Sequence, residues 1–239
     1  MIFTDKAGYA IDATGNLYAW GSNQFGVLGL NAPDTVVAKT QVGSDSTWKW
    51  VTGYQHNPAC NAAAVKTDGT LWVWGGGGPN GCLGLGPDKT ERSSPTQIGT
   101  LDHWTSVTSG QMYWLGGGFA ACDNSGKIFV WGATDKGTFG TNQYDVQISS
   151  PYNLPGGPYK MVQINGDTMI RMKGDDTLWI SGDVYAAGLK NPVGGQYMSS
   201  PVQVSSALVG FSSDKIGIWG SNSNKNIGVI SPNLTPAQV

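Results

Sequence analysis

Glutamate is almost missing from this chain. Glu91 is the single example among 239 residues, and only 13% of residues are charged. Long helices draw on Glu, Lys, Ala and Leu, so this shortage argues against a helical fold. Basic charge is thin as well. The 14 Lys and Arg residues are scattered and the net charge is −2, which excludes the clustered cations that displace counterions from nucleic acid. Cysteine is limited to Cys60, Cys82 and Cys122. They are odd in number, widely spaced and without a C-x-x-C pair, so a disulfide framework is not expected; buried apolar filling is. Histidine is limited to His56 and His103. Neither sits in H-x-x-x-H or beside a Cys pair, so no metal site is expected. There is no run of 18 apolar residues, which excludes a membrane-spanning helix and predicts no membrane insertion. The opening Met1-Ile2-Phe3-Thr4-Asp5-Lys6 lacks the basic-then-apolar order of a secretory signal.

What is abundant is glycine and tryptophan, 36 and 10 residues, arranged in a repeat. Leu17-Tyr18-Ala19-Trp20-Gly21 returns as Leu71-Trp72-Val73-Trp74-Gly75 and Ile128-Phe129-Val130-Trp131-Gly132. It weakens to Leu178-Trp179-Ile180-Ser181-Gly182 and ends as Ile216-Gly217-Ile218-Trp219-Gly220. A period of about 50 residues in a β pattern signals a radial or solenoid array. Turn chemistry precedes each phrase, most clearly Thr67-Asp68-Gly69, so each unit holds a hairpin. A glycine loop follows it. Gly21, Gly26 and Gly29 have the same spacing as Gly132, Gly137 and Gly140. These loops lack the Gly-Lys-Ser/Thr ending and the following helix of a phosphate cradle. A Ser-Pro strand then closes the unit, as in Ser94-Pro95, Ser150-Pro151 and Ser200-Pro201; unit one has the weaker Lys39-Thr40-Gln41-Val42. Proline fits a strand's start or a sheet edge.

Two units also carry Trp48-Lys49-Trp50-Val51-Thr52-Gly53 or Trp104-Thr105-Ser106-Val107-Thr108-Ser109-Gly110 ahead of the hairpin. The order W-x-x-V-x-x-G, G-x-x-H, D-G-x-L-x-x-W-G, G-x-x-x-x-G-x-L-G and S-P resembles the regulator-of-chromosome-condensation repeat. Unit two carries Gly53-Tyr54-Gln55-His56 at the G-x-x-H position, and unit one carries Gly21 to Gly29 in the loop. The resemblance implies an all-β chain folded as a single β-propeller of four-stranded blades. That family usually has seven blades; this chain has five hairpins. The expectation is therefore one domain over 1–239, with units near 1–43, 44–99, 100–156, 157–205 and 206–239. The ring would close by pairing N- and C-terminal strands, which removes an open edge. The alternative is an incomplete ring finished by another chain. Trp20, Trp74, Trp131 and Trp219 are expected in the core, and Trp48 and Trp104 between blades.

Catalytic residues are not expected. His56 fills a repeat position where a structural hydrogen bond is the simpler role. Asp167, Asp175 and Asp176 are the nearest approach to a carboxylate cluster, but they fall at turns, where Asp serves the turn itself. No nucleophile-base arrangement stands out. The reading is a non-enzymatic scaffold that needs no cofactor and acts through its loops. Candidate binding residues are Trp50, Tyr54, His56, Tyr113, Trp114, Tyr144, Tyr185 and Tyr197, aromatic or polar groups suited to protein interfaces or sugar faces. The surface-like composition together with the absence of an export signal suggests a bacteriophage virion component, made in the host cytoplasm. Its partners would be other virion proteins or a host surface protein or glycan. The alternatives are a glycan- or receptor-binding module and a propeller-type protein inhibitor.

Overall fold

The computed structural model describes residues 2–3, 6–32, 35–56, 59–77, 80–110, 117–183, 196–204, 216–217 and 229–230. Among these residues there is no α-helix. Four antiparallel sheets of four strands each follow one another along the chain. The first holds β1 (Ile2–Phe3), β2 (Ala7–Ile11), β3 (Leu17–Ser22) and β4 (Thr35–Gln41). The second holds β5 (Trp48–His56), β6 (Ala59–Lys66), β7 (Leu71–Gly75) and β8 (Arg92–Gln97). The third is β9 (Trp104–Gly110), β10 (Gly118–Asp123), β11 (Ile128–Thr134) and β12 (Val146–Asn153). The fourth is β13 (Tyr159–Asn165), β14 (Thr168–Lys173), β15 (Leu178–Asp183) and β16 (Tyr197–Val204). Of the fifth unit only β17 (Ile216–Gly217), paired with β18 (Val229–Ile230), is described.

Register is conserved from sheet to sheet. Gly21, Gly75, Gly132 and Gly182 face Ala7, Asn61, Gly118 and Thr168 across their hairpins. The ladder to the outer strand slips between Ala19 and Gly21, Val73 and Gly75, Val130 and Gly132, and Ile180 and Gly182. The skipped residue is Trp20, Trp74, Trp131 or Ser181. A bulge there turns the skipped side chain away from the regular pleat. The following residue takes φ of 109°, 111°, 99° and 94° in the four sheets, a conformation open to glycine and costly to other residues. The Trp-Gly pair is thus one device: glycine makes the bulge, and the bulge aims the indole at the neighbouring sheet.

The sheets pack face to face through apolar clusters. Tyr9, Val27, Trp48 and Trp74 share the cluster between the first and second sheets. Tyr54, Leu83, Trp104, Phe119 and Trp131 share the next. Phe139, Tyr159, Ile164 and Met169 belong to the third. Trp74 and Trp131 are completely buried, as are Cys60, Ala62, Ala63, Ala64, Ala120 and Ala121. Trp20 is only half-buried, and Trp219 lies outside the described residues. The leading strands β5, β9 and β13 lie against one another. β5 and β9 are joined by the Trp50 indole N–H donating to the Val107 carbonyl at 2.6 Å and by a 2.8 Å bond between the Thr52 and Ser109 hydroxyls.

The first sheet obtains its leading strand from the N-terminal residues, since Ile2 and Phe3 pair with Tyr9 and Gly8. A pairing of this sheet with the C-terminal strand within residues 233–239, as sequence reasoning expects, concerns residues outside those described.

Candidate functional site

Three joints between successive sheets are described, and each is made by the glycine loop reaching forward to the next sheet. In the first joint the Asn31 amide donates to the Ser93 carbonyl at 2.9 Å. In the second the Gly86 amide donates to Ser149 at 2.7 Å, and in the third the Asn142 amide donates to Ser199 at 2.8 Å. A Cβ on Gly26 would stand 2.6 Å from the Ser93 Cα, and one on Gly81 would stand 2.7 Å from the Ser149 Cβ. The loop glycines therefore allow backbone to lie on backbone, and they meet the Ser-Ser-Pro strand of the following unit. The final glycine of each loop rests on the next sheet's bulge residue: Gly29 on the Trp74 ring, Gly84 on the Trp131 ring. The Trp74 indole N–H donates to the Val27 carbonyl at 2.6 Å. Sequence reasoning registers the glycine spacing but not its target, because the partner strand belongs to the next repeat.

The opposite ends of the sheets are tied by the hairpin turns. The amides of Trp48, Trp104 and Tyr159 donate to the carbonyls of Gly15, Gly69 and Gly126 at 3.0, 3.0 and 2.7 Å. Turn carboxylates are consumed locally. Asp68 Oδ1 accepts from the Thr70 amide and hydroxyl, and Asp175 Oδ1 accepts likewise from Thr177. These bonds hold both carboxyls below the ordinary range. Asp176 pairs with Lys160 at 2.7 Å. Asp167 pairs with Lys136 near the other end of β14, with burial raising the Asp167 carboxyl. Asp167 and Asp175 are therefore separated by most of a strand, roughly 20 Å, so they cannot flank one scissile bond. Among the described residues no group of three or more His, Cys, Asp or Glu is placed to hold a metal ion.

The sequence candidates do not converge. Trp50 is 46% exposed near the start of β5, whereas His56 ends that strand, about 20 Å away. The side chain of His56 is outside what is described, as are Tyr113, Trp114 and Tyr185. Tyr54 corrects the expectation of a loop aromatic. It lies inside β5, only 5% exposed, with its hydroxyl accepting from Asn61 Nδ2 at 2.7 Å and its ring 5.6 Å from that of Phe119. Burial pushes its phenol well above the usual value. A strand longer than the repeat motif suggests carries it into the core. Tyr144 is half exposed, on the loop after β11. Tyr197 is half-buried at the start of β16, with Lys136 Nζ 5.4 Å from its ring centre.

A surface that sequence reasoning missed lies at the second joint. Leu85, Ile98, Leu101, Trp104, Phe129 and Pro151 line most of a groove of about 400 Å³. Leu101 is 42% exposed, and Tyr152, beside Pro151, is 51% exposed. The first joint has the same plan with a different filling. Trp48 and Trp104 occupy one position, as their bonds to Gly15 and Gly69 show. Lys66 and Asp123 occupy another, each amide donating at 3.0 Å across its turn, to Thr70 and Lys127. Asp45 then corresponds to Leu101, and Trp72 to Phe129. In the first joint Lys66 lies 4.7 Å from the Trp48 ring centre and 3.9 Å from that of Trp72, and it pairs with Asp45 at 2.7 Å. The aliphatic stem and ammonium thus cover both indoles. In the second joint Asp123 turns to its own hairpin, accepting from Ser125 and Lys127, and His103 stacks on Trp104, which is buried.

Comparison with known proteins follows the same plan. Residues 68–115 match the model of the regulator of chromosome condensation (RCC1) repeat. Human regulator of chromosome condensation is 30% identical over 152 residues, covering 62% of this chain and 34% of its own length. Human RCC1-like G exchanging factor-like protein is 28% identical over 160 residues, covering 62% and 32%. This chain spans about a third of the length of those relatives. Among solved structures, human WBSCR16 aligns with a TM-score of 0.68 at 18% identity, over 87% of this chain and 52% of that one. Yeast RCC1 (Prp20), solved bound to Kap60, aligns at 0.66 with 16% identity, over 84% and 47%. The aimed indole, the forward-reaching glycine loop and these likenesses show a chain with the blade architecture of the β-propellers, carrying a regulator-of-chromosome-condensation (RCC1) repeat at residues 68–115.

Proposed function

We propose that this chain is a non-enzymatic scaffold that binds another protein. The observation that carries the reading is the open groove beside Leu101 and Tyr152. The surface exposes apolar side chains there, while the carboxylates that could do chemistry are held in turns and ion pairs. Large apolar groups around a concavity suit a protein contact. A photo-crosslinking residue in place of Tyr152, introduced into the native assembly, is expected to capture one defined protein. Labelling of glycan alone, or no labelling, would remove the reading. Within it, the placement in a bacteriophage virion rests on composition: few charges and abundant Gly and aromatic residues. Mass spectrometry of purified virions tests that placement, and it fails if the chain is not found there.

A further inference from the structure

The outermost strands β4, β8, β12 and β16 end their sheets, so one edge of each has no neighbour in its own sheet. Three of them carry proline at one register position. Pro95, Pro151 and Pro201 stand one residue before Thr96, Tyr152 and Val202, which pair with Val73, Val130 and Ile180. In β4 the residue before Thr40, which pairs with Ala19, is Lys39. The direction of that position follows from the strand ends. The amides of Val42, Ile98 and Leu154 donate inward, to the Leu17, Leu71 and Ile128 carbonyls, each at 2.8 Å. Amides alternate in direction along a strand, so positions 39, 95 and 151 face outward, and 201 does so by register. Proline has no N–H to offer there, which blunts an edge. β4 keeps the donor. We propose that the outer edge of β4 accepts an extended, acidic segment of a partner protein as an added strand. The proposal goes beyond the scaffold reading and does not depend on the groove at the second joint.

The edge is bare. Thr35, Ala38, Lys39 and Thr40 are exposed, and among the described residues β3 is the one strand paired with β4. The N–H and C=O of Lys39 point outward together, as do those of Gln41, which is enough for a short antiparallel ladder. Lysine can itself guard an edge. Here the Lys39 Nζ lies 4.2 Å from the centre of the Tyr18 ring, so its stem is drawn onto the face of the sheet. Charge selects the occupant. Lys39 is the single charged residue of β4. Any hydrogen-bonded antiparallel register of two β4 strands would set both Lys39 side chains on one face, which disfavours a second copy. A carboxylate on the added strand would meet an ammonium there instead.

The test is amide hydrogen exchange of the isotopically labelled protein, followed by NMR. The probes are the peptide acetyl-Thr-Val-Glu-Val-Thr-amide and its counterpart with lysine in place of glutamate. At about ten times its Kd, the acidic peptide should slow exchange at the Lys39 and Gln41 amides about tenfold. The lysine peptide should bind about fivefold more weakly. The amides of Gln97, Asn153 and Gln203, which follow the prolines, should not respond. Lys39→Pro gives β4 the residue of its sister strands and should abolish both responses while leaving the urea midpoint nearly unchanged. If that variant does not fold, the acidic peptide N-methylated on alternate amides takes its place, and it should give no protection. Equal binding of the two peptides would overturn the acidic assignment. Self-association of the free chain that Lys39→Pro abolishes would give the edge to a second copy and overturn the partner. No protection at Lys39 or Gln41 with either peptide would overturn the added strand, and the scaffold reading, tested at Tyr152, would stand or fall separately.

Discussion

The second and third joints perform the same task with different chemistry. In the second, Gly84 rests on Trp131, a fully buried indole stacked on Phe119 with centroids 5.4 Å apart. In the third, Gly140 rests on Arg171 and Ser181. Ser181 stands at the bulge in place of tryptophan, and its hydroxyl donates to the Thr138 carbonyl at 2.7 Å. That carbonyl is the counterpart of Val27, which receives the Trp74 indole in the first joint. The vacated volume is taken by Arg171, 1% exposed, whose guanidinium donates to the Phe139 carbonyl at 3.2 Å and to Ser181 at 2.9 Å. Burial lowers its affinity for the proton. Among the described residues no carboxylate pairs with it. The array keeps the hydrogen bond to the loop and gives up the apolar filling. A buried cation without a counter-charge is a costly replacement for a ring.

The comparison can be broken most severely at Trp131. Trp131→Ala should cost about 3–5 kcal/mol of stability, because the enclosed pocket cannot collapse. Equilibrium unfolding in urea checks this, and a loss no larger than that of Arg171→Ala would refute it. In the other direction, Arg171→Ala combined with Ser181→Trp rebuilds the third joint on the pattern of the second. Alanine is the residue at the Arg171 position in the first three sheets, as Ala10, Ala64 and Ala121. The double variant should gain about 1–4 kcal/mol, and a lowered melting temperature would show that the guanidinium is the better filling. The loop contact is sharpened by Gly81→Ala set against Gly99→Ala. Both glycines have positive φ, but only Gly81 abuts a neighbouring strand. The first should exceed the second by about 1–3 kcal/mol, and equal losses would mean that backbone strain alone matters.

The smallest effect concerns the hairpin ends. Asp68 is held below its ordinary value by the backbone and side-chain bonds from Thr70. A lowered folded-state pKa favours the carboxylate, so its support is present above about pH 4 and fades as pH falls through the lowered value. Asp68→Ala should therefore depress the melting temperature slightly at neutral pH, and progressively less as the pH is lowered below about 4. A pH-independent difference would assign the effect to the turn backbone instead.

The blade plan is legible in the sequence because it is local. Hairpin, Trp-Gly phrase and Ser-Pro strand are consecutive, and the ladder register follows from them. What sequence reasoning misses crosses from one unit to the next. The spacing of Gly21, Gly26 and Gly29 is plain, but Ser93, which receives that loop, belongs to the next sheet. The weakened fourth phrase registers as a lost tryptophan, whereas Arg171, on the facing strand, fills the space. Tyr54 resembles a loop aromatic because its motif ends in a turn, yet β5 continues past it. The open groove is invisible for a similar reason. Its walls come from two units, Leu85 and Ile98 from one and Trp104, Phe129 and Pro151 from the next.

Each loop leans on the sheet that follows it, so support passes along the array in one direction. Loosening the loop after β7 uncovers Trp131 in the third sheet while the indole of Trp74, already sheltered by the first loop, stays dry. Damage therefore has a heading: a lesion strips what lies downstream and spares what lies upstream, as when a row of overlapping roof tiles loses one from the middle.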